Sequence, residues 1–454
     1  MEAETCKYRW IILAGAFVNL ALTWGLLYSV GVLYKVWISY FNSPASYVSL
    51  AGALPVSIGC ITGPLYGFLG GKFGFRKCGI MGGFIMASGW IISSFAESVQ
   101  TLCFTFGAIT GFGAGMVAFS TSAIINDYFV RHRLLAEGFM GAGLCFGNFL
   151  FSVLQQQLLN NYQWRGALLI TGGVCFNACV VCMCFIPGIK IKTHPFNFWP
   201  ENDMPKYKLP KHNHKEINDK KTEFQSSPVE EKASCLDKTN KLLRETTRNK
   251  NNFASRSLQL FSSPVFWMLL ISDFLSWTAI YVPYVHLVKR GKLSNLSEDT
   301  SAWLSSTVGV AGFVGRPLTG VIGSYFQIHP LWCYVVIQMS CGFATFFSSF
   351  WSNTYGLFIF AAMFGFLSNG YGMIKASVAL MLGKDCFVDA FSWMLLEEGI
   401  GIILGPVLAG FIYDATQSYS WSFRFSGSLL VLSALICFLK PLAEKCEKKI
   451  IQHQ

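Results

Sequence analysis

About twelve apolar stretches, each long enough for one helical crossing of a bilayer, run through this chain, six on each side of a polar centre. A spanning helix needs about 20 mostly apolar residues, since the hydrocarbon core is ~30 Å thick. The first six stretches cover Trp10–Tyr34, Val48–Leu69, Cys78–Phe95, Leu102–Ile125, Leu134–Leu154 and Gly166–Ile186. The second six cover Val265–Val288, Trp303–Gly323, Leu331–Ser349, Tyr355–Leu382, Val388–Ile412 and Ser422–Leu439. In lipid every backbone N–H and C=O must be satisfied internally, so stretches of this length fold as helices. The expected fold is an all-α polytopic membrane protein of twelve transmembrane helices in two six-helix halves. Composition agrees: 53% of residues are apolar and 13% charged, against about a quarter charged in soluble proteins.

The two halves carry a visible repeat. Gly63-Pro-Leu-Tyr-Gly-Phe-Leu-Gly-Gly71 and Arg316-Pro-Leu-Thr-Gly-Val-Ile-Gly-Ser324 align without a gap, about 250 residues apart. Repeated halves in so apolar a chain point to a transporter whose site lies between them. One position breaks the match: Gly63 in the first copy is Arg316 in the second.

Residues 1–189 form the expected first half and 257–440 the second, followed by a cytosolic tail, 441–454. Segment 190–256 is rich in Lys, Asn, Glu and Ser and reads as a disordered cytosolic linker, because it cannot bury enough apolar surface to fold alone. The net charge of +11 does not indicate nucleic acid, since the basic residues gather in short loops, the linker and the tail. Lys72, Arg76, Lys77, Arg131, Arg133, Lys445, Lys448 and Lys449 all fall on one side if both termini are cytosolic. Lys289-Arg290-Gly-Lys292 runs against that rule. Asn295-Leu-Ser297 in the same loop matches a glycosylation sequon. The first apolar run has no small-residue cleavage site after it and is expected to be retained. The 15 Cys show no metal-ligand spacing, and no nucleophile–base motif indicates an enzyme. No cofactor is expected.

Transport calls for polar groups at bilayer depth, where an ionisable side chain costs at least about 2.5–3.5 kcal/mol and therefore has a partner or a role. Arg316 sits about a dozen residues into the eighth stretch, behind Val308-Gly-Val-Ala-Gly-Phe313. Its planar fork takes a carboxylate bidentately, so an organic anion is a natural ligand; a structural ion pair is the alternative. Pro317 frees a backbone carbonyl and can kink the helix, opening space for a ligand. Glu397 and Glu398 interrupt the eleventh stretch about 100° apart, so at most one faces a cavity squarely, where it can carry a proton. Tyr28 and Asn369 can hydrogen-bond solute or join helices. Lys375, near the cytosolic end of the tenth stretch, reads as snorkelling to the interface, and Asp273 and Asp127 read similarly, with Arg131 close enough to pair with Asp127.

Several motifs resemble one family, the monocarboxylate transporters of the major facilitator superfamily. Asp127-Tyr-Phe-Val-Arg131-His-Arg133-Leu-Leu-Ala136-Glu-Gly138-Phe-Met-Gly-Ala142-Gly143 is similar to that family's signature at the start of helix 5. Trp164-Arg-Gly166, Tyr281-Val-Pro283-Tyr-Val-His286 and Gly405-Pro-Val-Leu-Ala-Gly410 resemble it as well. The superfamily's gating turn is present as Gly67-Phe-Leu-Gly-Gly71-Lys72-Phe-Gly-Phe-Arg76, with Gly71, and Ser324 in the second copy, where an acid is usual. The resemblance implies the major facilitator fold and a plasma-membrane carrier. Some members of the family need a single-span glycoprotein chaperone to reach the surface.

Departures from the family matter for the substrate. By alignment, Tyr28 replaces the helix 1 lysine of the proton-coupled lactate and pyruvate carriers, and Gly312 replaces their helix 8 aspartate, while Arg316 remains. The reading is a carrier of small carboxylate-bearing solutes, anionic or zwitterionic, by facilitated diffusion. In it Arg316 holds the carboxylate, Tyr28 and Asn369 line the cavity, and Glu398 tunes charge. Two alternatives stay open: proton-coupled lactate or pyruvate symport using Glu398, and a non-transporting membrane sensor.

Overall fold

The structure, a computed structural model, describes residues 2–43, 45–129, 133–185 and 253–453, and among these it is helical with no strand. Its contacts divide the chain into one unit of Met1–Ile189 with Ser257–Gln454 and a second of Lys190–Arg256. The expected disordered linker falls in that second unit, of which only 253–256 lie among the described residues. Arg131, and with it the expected pairing with Asp127, also lies outside them.

Within the first unit the first half comprises α1 (Tyr8–Tyr34), α2 (Ala45–Ile61 and Gly63–Phe73), α3 (Phe75–Ser93) and α4 (Val99–Tyr128), followed by α5 and α6 (residues 133–162 and 164–183). The second half comprises α7 (Pro264–Leu293), α8 (Glu298–Tyr325), α9 (Pro330–Ser348), α10 (Thr354–Met381), α11 (Lys384–Thr416) and α12 (Tyr419–Ile436). Among the described residues eight helical segments are long and apolar enough to cross a bilayer, and the two pieces of α2, bent by 49°, make a ninth. One of the eight, Arg133–Met183, turns back at Gln163 (φ +58°) and so crosses twice as α5 and α6. Two less apolar helices of spanning length, α3 and α8, complete the bundle. Side chains such as Phe104, Val336 and Phe411 leave 66%, 64% and 68% of their surface outward, as a lipid-facing wall does.

The halves meet along two crossings, α5 against α8 and α2 against α11. Both need missing side chains. A Cβ on Gly63 would lie 2.3 Å from the Ser392 carbonyl oxygen of α11, and one on Gly138 would lie 2.5 Å from the Arg316 carbonyl oxygen of α8. The repeat is thus explained in space: Gly63 and Arg316 occupy corresponding places, each on the crossing with the opposite half. Gly74 (φ +86°) turns the chain from α2 into α3, a backbone conformation L side chains rarely adopt.

Of the cations at the end of α7, Arg290 is drawn into the protein, while Lys289 and Lys292 are exposed. Arg290 is buried and donates to the Ser348 carbonyl, to Ser348 Oγ at 3.1 Å and to the Trp351 carbonyl at 2.9 Å, with its guanidinium over Phe423. Lys289 lies over Tyr413 and Tyr419. Arg290 therefore belongs to the interior of the second half rather than to a free loop. Asn295 (φ +62°) is exposed in the α7–α8 turn, and Ser297 caps α8 through the Thr300 N–H.

Candidate solute site

A cavity of about 70 Å³ lies between the halves, walled by α1, α2 and α5 from one and α7, α8, α10 and α11 from the other. Local breaks in helix geometry shape it. In α1, Ala21–Gly25 forms a π-helical turn that presents Trp24. In α10 the helix stops at Ser368 and Asn369 and restarts at Gly370, the non-helical backbone that membranes tolerate beside a cavity. In α8, Pro317 removes an N–H one residue after Arg316.

Arg316 is partly exposed at this wall. Its Nη1 donates to the Gly141 carbonyl of α5 at 3.0 Å, while its Nε has no partner among the described residues. Tyr284, Tyr28 and Cys145 surround the guanidinium, and no carboxylate among the described residues makes an ion pair with it. The structural-ion-pair alternative therefore has no acid to supply it among the described residues.

The other expected site residues also reach the cavity wall, with their polar groups partly engaged. Tyr28 accepts a 2.8 Å hydrogen bond from Tyr281, linking α1 to α7 across the halves. The Asn369 amide nitrogen donates to the Gly315 carbonyl at 3.2 Å and to Thr319 Oγ1, so it clips the α10 break to the turn of α8 that carries Arg316. Glu398 faces the cavity while its neighbour Glu397 does not line it, as their angular separation demands. Among the gating residues, Gly67 is buried in α2, Gly71 and Lys72 are exposed at its end, and Arg76 donates to the Met183 carbonyl of α6 at 2.6 Å. Arg133 is buried at the start of α5 with Nε unpartnered.

Two expectations are corrected. Lys375 does not snorkel; it is 1% exposed and pairs with Glu137 of α5 at 3.4 Å, with Nζ also 3.2 Å from Ser122 Oγ and over the Tyr371 ring. Asp273 is likewise buried, and it lines the cavity beside Trp277. Glu137, which also accepts from Asn126 Nδ2 at 2.8 Å, was not singled out by the sequence reading. The available signal was an acid near the start of α5 and a base near the end of α10, in opposite halves.

This arrangement, a largely apolar cavity with a few polar groups between two six-helix halves, is that of a membrane carrier. The sequence profile of the Major Facilitator Superfamily matches residues 12–386, and the chain belongs to that superfamily. It is a multi-pass membrane transporter of small organic solutes and not an enzyme. Its relatives include human Monocarboxylate transporter 14, 26% identical over 96% of this chain and 90% of the relative. Mouse Monocarboxylate transporter 9 is 27% identical over 98% and 95%, and chicken Monocarboxylate transporter 3 is 28% identical over 94% and 77%. Among solved structures, the fucose:proton symporter FucP in its outward conformation gives a TM-score of 0.66 at 14% identity over 95% of this chain and 99% of that one. The human organic anion transporter MFSD10 gives 0.65 at 12% identity, again over 95% and 99%. These likenesses support the fold alone.

Proposed function

We propose that this protein carries small carboxylate-bearing organic solutes across the plasma membrane by alternating access, as facilitated diffusion, with both termini cytosolic. The observation that carries the reading is Arg316, a guanidinium at the cavity wall with no carboxylate among the described residues paired to it. A cation held in a cavity of low polarity is stabilised by a counter-ion, and a bidentate carboxylate is the geometry a guanidinium fork matches. The names of the relatives, all monocarboxylate transporters, support the same substrate class.

The cavity is bounded by two contacts between the halves. Tyr281–Tyr28 lies toward the C-terminal end of α1, and Lys375–Glu137 lies near the N-terminal end of α5. In the proposed cycle the halves rock about the solute, and each contact breaks as the cavity opens on its own side. Uptake of a panel of labelled carboxylates into vesicles holding the reconstituted protein tests the reading. Arg316→Ala should abolish uptake with unchanged protein abundance, and Arg316→Lys should fail substantially because a point charge lacks the fork. Normal flux in Arg316→Ala refutes the role.

Proton-coupled symport is a second reading, favoured by the carboxyls of Asp273 and Glu398 in the cavity wall. Uptake compared at acidic and alkaline external pH, with and without a protonophore, separates the two. Flux indifferent to both treatments excludes symport.

A further inference from the structure

The cavity has a second pole, opposite in sign to the first. Asp273 of α7 and Glu398 of α11 both line it, 2% and 5% exposed. Asp273 Oδ2 and Glu398 Oε2 have no hydrogen-bond partner among the described residues. Among the described residues neither carboxyl has an ion-pair partner. Glu397 of α11 adjoins Asp273, and Cys60 of α2 adjoins Glu398. Among the described residues the cation acting on them is Lys375 of α10, whose ammonium is already paired with Glu137 at 3.4 Å. One ammonium thus serves three carboxyls, Glu137, Asp273 and Glu398. Arg316 does not relieve them, for the groups acting on it are Cys145, Tyr284 and Tyr28.

The wall between the poles is aromatic. Trp277 packs edge-on against Tyr371 with ring centroids 5.3 Å apart, and Tyr281 and Trp24 continue the lining. Aromatic faces attract organic cations, by up to about 2 kcal/mol when desolvated, and the Lys375 ammonium already sits 3.7 Å from the Tyr371 ring centroid.

We propose that the solute is a zwitterion, with its carboxylate on Arg316 and its cationic nitrogen, a primary or quaternary ammonium, against Asp273 and Glu398 within the aromatic wall. The proposal rests on the assignment of Arg316 to the carboxylate. A solute carrying both charges neutralises both poles at once, whereas a simple monocarboxylate leaves the acidic pole uncompensated. Burying a charge without its partner is unfavourable, so the cavity discriminates between the two.

Isosteric pairs test this directly. Betaine and 3,3-dimethylbutyrate have the same shape and differ by a nitrogen for a carbon; phenylalanine and 3-phenylpropionate differ by one ammonium. Uptake of all four is measured in vesicles with the full chain, its Arg316→Ala form, and the Asp273→Asn and Glu398→Gln forms. For at least one pair the zwitterion should be favoured roughly tenfold or more, a difference of about 1.4 kcal/mol. Either acid substitution should shrink that ratio severalfold. A ratio unchanged in both variants overturns the assignment to Asp273 and Glu398. The comparison within the unsubstituted protein needs no variant to fold. If the ammonium-free member is carried as well as or better than its partner, and its uptake is lost in Arg316→Ala, the acidic pole is refuted and the carboxylate reading stands. Uptake that survives Arg316→Ala overturns the carboxylate reading, and uptake of no member of either pair counts against both.

Discussion

Lys375 and Glu137 show how charge is carried through the interior of this molecule. Each is almost fully buried, and each is the other's ion-pair partner across the two halves. Removing one partner of such a pair strands a charge and typically costs about 3–5 kcal/mol, while replacing both is far milder. Lys375→Met and Glu137→Gln should therefore each lower thermal stability in detergent, and the double variant should recover most of the loss. Additive losses in that double-mutant cycle would show that the pair is not coupled. Glu398 offers a second test at the same scale: Glu398→Gln should alter the pH profile of uptake, and an unchanged profile assigns the carboxyl to packing. Arg316 was legible in the sequence as a lone charge in an apolar run. The Lys375–Glu137 pair was not, because each charge alone near a helix end is equally well explained by snorkelling, and only the docking of the halves brings them together.

Between elements, close approach of backbones decides where the halves can touch. Gly63 and Gly138 sit on the α2–α11 and α5–α8 crossings, where a methyl group would fall inside the contact distance of a carbonyl oxygen. Gly63→Ala and Gly138→Ala should slow transport and weaken stability by about 1–3 kcal/mol, the usual range for overpacking. Gly410→Ala, at a position with open space around the missing Cβ, serves as the control and should be neutral. Equal behaviour of all three variants in uptake and melting would remove the crossings from the account. The repeat was visible in the sequence, but its spatial sense was not. That Gly63 and Arg316 both face the opposite half follows only from how the helices pack. The same holds for the break in α10. Ser368-Asn-Gly370 reads as a mild polar interruption, and the structure turns it into a clip through Asn369 onto α8.

For the molecule as a whole, the fold was the most legible level, because lipid leaves a chain this apolar few ways to satisfy its backbone. Twelve passages and their division into halves follow from segment length and repeat, while the superfamily follows from the resemblance of the motifs and is shown by the profile match. Arg290 shows the limit of reading topology from charge alone, since its guanidinium is spent on Ser348, Trp351 and Phe423. The solute is less legible, because recognition depends on which buried charges find partners within the protein and which are left for cargo. Binding to the purified protein measures that most directly, with a carboxylate that the vesicle assay shows to be carried and its neutral primary amide, each titrated into the unsubstituted chain and into Arg316→Ala. A charge-assisted hydrogen bond is worth about 1.5–3 kcal/mol, so the carboxylate should bind roughly 10- to 150-fold more tightly than the amide, and that preference should vanish without the guanidinium. A preference for the carboxylate that persists at full size in Arg316→Ala would contradict the account.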